Sequence, residues 1–175
     1  MHRAFVAVGS NADPANNVRK AVHLLKRLTR VVSISTVYLT EPEGPSGQPP
    51  FYNFVIELET DLAPLEMKLQ LLRPIETALG RVRTGDKFAP RTIDLDLILY
   101  DEVVLDTAEL TLPAPQIVRR PFVAIPLAEL APALVLPGSG SIVAQVAAAM
   151  ERKTMTPLPD VTALLKREMA SERQP

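Results

Sequence analysis

Residues 87–101 read Lys-Phe-Ala-Pro-Arg-Thr-Ile-Asp-Leu-Asp-Leu-Ile-Leu-Tyr-Asp, an apolar strand carrying two acids, Asp94 and Asp96. In an extended chain residues i and i+2 share a face, so these carboxylates stand side by side with Cβ atoms roughly 6.6–7 Å apart. Ile93, Leu95, Leu97 and Leu99 are then expected to point the other way, into a core. Two like charges need a counter-charge. Arg91 and its neighbours could supply it at a sheet edge, the commoner answer for an isolated Asp-x-Asp. Alternatively the oxygens grip one or two Mg²⁺ ions, since paired metals about 3.5–4 Å apart recur in phosphoryl chemistry.

The residues just upstream favour the metal. Gly80-Arg-Val-Arg-Thr-Gly-Asp-Lys-Phe-Ala-Pro-Arg91 combines two glycines and a proline with the cations Arg81, Arg83, Lys87 and Arg91. Each cation alone reads as solvated surface charge. Together, guanidinium forks and a lysine point charge on a mobile loop that feeds a two-acid strand suit a metal-bound polyphosphate. The chain has no Gly-x-x-x-x-Gly-Lys-Ser/Thr run and no Gly-x-Gly-x-x-Gly, so side chains must cradle the phosphates.

Further outward, the pattern predicts a β-α-β-β-α-β order. Arg3 to Gly9 is a first strand, and Asp13-Pro14 offers an N-cap and a first-turn proline to a helix through about Thr29 with Val18, Ala21, Val22 and Leu25 on one face. Val31 to Leu39 and Phe51 to Thr60 alternate as strands around a Pro/Gly-rich loop, 41–50. Pro64 to Leu79 is helical with a stop at Gly80, and Pro74 is expected to kink or shorten it. The acidic strand, Thr92 to Tyr100, closes the set. This is the α+β, ferredoxin-like order: an antiparallel sheet with helices on one face and the second face free for a site. A C-terminal hairpin (103–104 with 110–112) and helices over 121–130 and 141–152 should follow. The expected organisation is one domain over residues 1–152 and a tail, 153–175, whose Val161, Leu164, Leu165 and Met169 suggest a short packed helix.

Composition narrows the function. The 175 residues carry a net charge of −1 and are 47% hydrophobic, so no global basic field advertises nucleic acid or an anionic membrane, and anion binding must come from local clusters. Cysteine is absent, which removes disulfides, thiolate catalysis and the usual zinc sites; His2 and His23 are expected to be structural or solvated. No apolar run reaches membrane-spanning length and the start lacks a signal peptide's apolar region, so a cytoplasmic, monomeric protein is expected, bound to neither nucleic acid nor membrane.

Pro90-Arg-Thr-Ile-Asp-Leu-Asp-Leu-Ile98 resembles the signature of hydroxymethyl-dihydropterin pyrophosphokinase, a folate-pathway enzyme. Ala7-Val-Gly-Ser-Asn11, Thr40-Glu-Pro-Glu-Gly-Pro45, Phe51-Tyr-Asn53, Gly80-Arg-Val-Arg83, Leu112-Pro113 and Pro126 to Pro132 follow that family's order and approximate spacing, over roughly residues 3 to 152. The resemblance implies transfer of the terminal two phosphates of ATP, the co-substrate, to the hydroxymethyl oxygen of a reduced pterin, releasing AMP. It implies that Asp94 and Asp96 hold two Mg²⁺, with Arg83 and Arg91 serving the transition state. Arg73, Glu76, Arg81, Lys87, Thr111 and Arg120 join Arg83 and Arg91 around the nucleotide. For the pterin it implies Thr40, Pro42, Glu43 and Gly44 along a recognising loop. Phe51 and Phe122 form a sandwich with Phe88 closing from the loop, and Asn53, on the Phe51 face, reads the heterocycle edge.

The chain departs from that pattern at Ala114, where a phosphate-reaching His is usual, and at Phe88 and Phe51, which stand for Trp and Tyr. Arg73 stands where Gln is frequent. Three rivals share these residues: a ferredoxin-like RNA-binding module, against which the interior acids count; a two-metal phosphohydrolase, weakened by the lack of His ligands; and a ligand-binding family member with poor turnover.

Overall fold

The computed structural model describes residues 1–171. Its central sheet runs in the order β5-β1-β4-β3-β8, with β2 also on β4, and every pairing is antiparallel. The strands are β1 His2–Ser10, β2 Arg30–Ile34, β3 Tyr38–Thr40, β4 Phe51–Thr60, β5 Asp94–Tyr100 and β8 Met155–Pro157. A small hairpin, β6 Leu105–Asp106 with β7 Thr111–Leu112, stands apart; Val103 and Val104, expected in it, precede it.

One sheet face carries Ala4, Val6 and Val8 of β1 with Phe54, Ile56 and Leu58 of β4. Onto it pack Val18, Ala21, Val22 and Leu25 of α1 (Pro14–Leu28), whose apolar residues recur at helical spacing. Asp13 precedes α1 but does not cap it: its backbone is left-handed (φ 43°), and its carboxylate accepts Nδ2 of Asn16 at 3.1 Å.

The helical stretch 64–78 stays continuous through Pro74. It comprises α2 (Pro64–Glu66), a π-helical turn (Met67–Leu72) and α3 (Arg73–Ala78). Proline lacks an N–H and its ring crowds the carbonyl four residues back, so the wider turn just before Pro74 absorbs the conflict that was expected to kink or shorten the helix.

The second sheet face is only partly free, which corrects the sequence-based expectation. Phe5, Val55, Ile98 and Leu99 there support a second core with Ile117 of a 3₁₀ turn (Pro115–Val118), with Val123 and Leu127 of α4 (Pro121–Leu130), and with Val143 of α5 (Val143–Ala148). Leu99 was expected on the Leu95 side. A bulge, where Phe5 pairs Leu99 but Val6 pairs Leu97, returns it to the face of the two acids. Helix α5 is shorter than the 141–152 expected, because the chain turns at Ala149 toward β8 on the sheet's far edge. From β8 it enters α6 (Pro159–Ala170), whose buried Leu165 reaches the first core.

Candidate active site

The site is built by sheet register. Across β5, β1 and β4, Asp94 pairs Gly9 and Gly9 pairs Asn53; one pair further in, Asp96 pairs Ala7 and Ala7 pairs Val55. Residues directly opposite one another share a face, and two strand spacings separate β5 from β4, so the acids and the Asn53 amide stand roughly 10 Å apart on one surface. Glycine and alanine on the central strand leave a floor between them. A Cβ on Gly9 would lie 2.9 Å from Asn53 Oδ1, so only glycine fits beneath that amide. Asn53 is buried and donates Nδ2 to Thr40 Oγ1 at 2.7 Å, which aims its carbonyl oxygen across the floor.

Above this floor opens a cleft of about 340 Å³, within the range of small-molecule sites. Of the residues expected at the pterin, Thr40, Glu43, Phe51, Asn53, Phe88 and Phe122 line it; of those expected at metal and nucleotide, Lys87, Arg91, Asp94, Asp96 and Arg120 do. Gly44 sits behind Phe88, where an added Cβ would meet the ring at 2.3 Å. Arg73, Glu76, Arg81 and Arg83 line an adjoining depression of about 320 Å³. Thr111, on β7 opposite Asp106, and Pro42, in the 41–50 loop, line neither. Ala114 is buried in the second core, its N–H on Ile98 O at 2.9 Å.

Charges are ordered by a buried carboxylate. Glu76, on α3, accepts Leu95 N at 2.8 Å, Arg81 Nη1 at 3.2 Å and Arg83 Nη2 at 2.7 Å. Burial pushes its carboxyl above the ordinary value against the opposing pull of the Leu95 amide and Arg81. After Gly80, Arg81 N returns to Glu76 O at 3.0 Å, and this stop turns the Arg81 side chain back between Glu76 and Asp94. Asp94 thus holds two guanidinium groups, Arg81 on Oδ1 and Arg91 on Oδ2, the latter at 2.8 Å. Among the described residues no arginine forms an ion pair with Asp96; its side chain opens to the cleft and accepts a hydrogen bond from the Gln116 side chain. Crowding by the cleft walls, then the charges of Asp94 and Glu76, push its carboxyl up to about 6.

Among the described residues no group of three or more His, Cys, Asp or Glu side chains is placed to hold a metal. Two carboxylates suffice for Mg²⁺, which usually keeps waters and takes one or two protein carboxylates beside substrate phosphates. The donor set fits that ion: hard oxygens, one already free of cationic partners, facing a cleft with Lys87 and Arg120 on its rim.

Sequence patterns missed Gln116, and found Asn11 and Arg120 without the contacts they make. Gln116 is a lone amide in a short turn and belongs to no pattern. Asn11 is buried and ties two loops together, its Oδ1 accepting Arg91 N at 2.7 Å and its Nδ2 donating to Pro49 O at 3.4 Å. Arg120 meets Glu43 at 3.3 Å and lies 5.6 Å from the Phe122 ring, linking the 41–50 loop to the start of α4. No helix among the described residues is long and apolar enough to cross a membrane.

Known proteins resemble this chain in sequence and fold. The 2-amino-4-hydroxy-6-hydroxymethyldihydropteridine pyrophosphokinase of Pseudomonas aeruginosa is 44% identical over 140 residues, covering 78% of this chain and 85% of that protein. The Haemophilus influenzae protein of the same name is 39% identical over 142 residues, covering 79% and 88%. In fold, a triple mutant of Plasmodium falciparum HPPK-DHPS solved with SDX-DHP superposes with a TM-score of 0.68 at 12% identity, over 84% of this chain and 44% of that one. This chain spans under half of that solved protein. Residues 5–132 match the family described as 7,8-dihydro-6-hydroxymethylpterin-pyrophosphokinase (HPPK), and the chain belongs to that family.

Proposed function

We propose that this protein transfers diphosphate from ATP to the hydroxymethyl oxygen of 6-hydroxymethyl-7,8-dihydropterin, giving AMP and the pterin diphosphate for folate biosynthesis. The observation that carries the reading is one cleft in which an acidic pair and an aromatic-amide slot face each other across a floor of Gly9 and Ala7.

Phe51 and Phe122 hold the flat heterocycle by its faces, and Asn53 takes its polar edge. Phe88 closes from the loop. Thr40 orients Asn53, and the 41–50 loop with Pro42, Glu43 and Gly44 completes recognition. Arg83, Lys87, Arg91 and Arg120 bind phosphate oxygens and spread the charge that develops during transfer; Arg73, Glu76 and Thr111 serve the rest of the nucleotide. Asp94 and Asp96 hold two Mg²⁺, which when bound neutralise phosphate charge and lower the pKa of the attacking hydroxyl. For Asp94 to serve, Arg81 or Arg91 must exchange its carboxylate for phosphate, as a guanidinium fork does readily. No residue stands out as a dedicated base on this reading, and the hydroxyl proton falls to Asp96 as the carboxylate that opens to the cleft. The β-phosphorus is the atom attacked, so positioning the two substrates in line accounts for most of what the protein must do.

On this reading the protein is cytoplasmic and monomeric, and its single catalytic domain extends past the expected boundary at 152 to take in β8 and α6, which join the sheet and the first core. Mixing the protein with MgATP and the reduced pterin tests it: AMP should form only when the acceptor is present. ADP and phosphate instead would point to a phosphohydrolase. Asp94→Ala and Asp96→Ala should each abolish AMP formation without loss of fold by circular dichroism; near-normal turnover in either would remove the metal assignment.

A further inference from the structure

Three consecutive residues bridge the gap between β2 and β3, and a different element holds each. Ser35 exchanges bonds with Val55, its N–H on the carbonyl at 3.0 Å and its hydroxyl accepting Val55 N at 2.9 Å. Thr36 N donates to Glu129 Oε2 of α4 at 2.8 Å. Val37, fully buried, donates its N–H to Thr162 Oγ1 of α6 at 2.9 Å and accepts Leu158 N at 2.8 Å. The Thr162 hydroxyl in turn donates to Leu158 O at 2.8 Å, so both its donor and acceptor sides are occupied.

Strand β3 begins at the next residue. It pairs with β8 through Tyr38–Pro157, Leu39–Thr156 and Thr40–Met155, and it ends on Thr40, the hydroxyl that orients Asn53. A continuous chain of bonds therefore runs from α6 through Val37 and β3 to the amide on the cleft floor. Both β8 and α6 lie beyond residues 5–132, the part that matches the family. Most of the nucleotide half of the site hangs on β5, α3 and the 81–91 loop, across β1 and β4 from β3, and those elements share none of these bonds.

We propose that Thr162 is a positioning residue for acceptor binding: by accepting the Val37 N–H it sets the offset of β3, and with it the aim of Asn53, without touching the cleft. This rests on the pterin reading of the slot. A buried N–H stripped of its acceptor must find another partner, and the nearest remedy is a shift of β3.

Thr162→Val preserves shape and removes the acceptor, whereas Thr162→Ser keeps the hydroxyl. In the full chain, equilibrium titrations with the reduced pterin and separately with MgATP are compared with the KM for each. In the valine variant pterin affinity should fall by about fivefold or more while nucleotide affinity stays within about twofold. The serine variant should behave as wild type, and hydrogen exchange should quicken at residues 37–40. The idea is overturned by unchanged pterin affinity in the valine variant, by equal weakening of both ligands alongside a lower Tm, or by a serine variant as impaired as valine. Should Thr162→Val fail to fold, Thr162→Ala takes its place in the same comparison. Wild-type protein that binds no pterin would refute the functional reading itself, a result separate from any of these.

Discussion

Asp94 and Asp96 are neighbours on one face of one strand, yet their electrostatic settings differ. Two guanidinium groups neutralise Asp94, while Asp96 has an amide partner, two nearby negative charges and a weaker pull from Arg81. The ordinary value of the Asp96 carboxyl, 3.8, rises to about 6 in the folded protein, with crowding as the largest cause. Between those values the folded state keeps a proton that the unfolded chain has lost, so ionising Asp96 lowers stability as pH rises through this window. Asp96→Asn should therefore stabilise the metal-free protein near pH 7 and make no difference below about pH 4. Urea unfolding in EDTA at both pH values checks this; equal stability near pH 7 would contradict it. The acids themselves were legible as charged residues in an aliphatic strand, and Asn53 as an amide in another. The Arg81 contact to Asp94 was not, because it depends on how a glycine stop turns the chain rather than on any spacing.

At the scale of elements, the register of β5, β1 and β4 matters most. Gly9 lies between the acids and Asn53, and its missing side chain is what lets the amide lie over β1. Gly9→Ala would place a methyl 2.9 Å from Asn53 Oδ1 and force that amide off Thr40. Pterin KM should rise about tenfold, the equivalent of ~1.4 kcal/mol, with ATP KM little changed. An unaltered pterin KM would mean that Asn53 does not face the acceptor. Sequence pattern found β1 as a short apolar run with a core on each face, β4 by its alternation, α1 by its helical repeat against one core and α4 as a short helix. It merged β2 and β3, whose break at residues 35–37 is held by side chains from remote elements. It also placed Leu99 on the wrong face, since a bulge is a property of strand pairing and leaves no mark in the alternation of one strand.

Over the whole molecule, the sheet divides a helix-covered core from a face shared between a second core and the cleft. The donor half of the cleft belongs to β5 and the 81–91 loop, the acceptor half to β3, β4 and α4. Asn11 and the Glu43–Arg120 pair tie the surrounding loops. Within the acidic pair, Asp94 must trade arginine for metal when a nucleotide arrives. A crystal grown with the reduced pterin, Mg²⁺ and a non-hydrolysable ATP analogue tests that exchange directly. Magnesium is expected on Asp94 and Asp96 oxygens, with the pterin hydroxymethyl group turned toward the β-phosphate. Asp94 still held by Arg81 and Arg91, with magnesium absent or elsewhere, would contradict it.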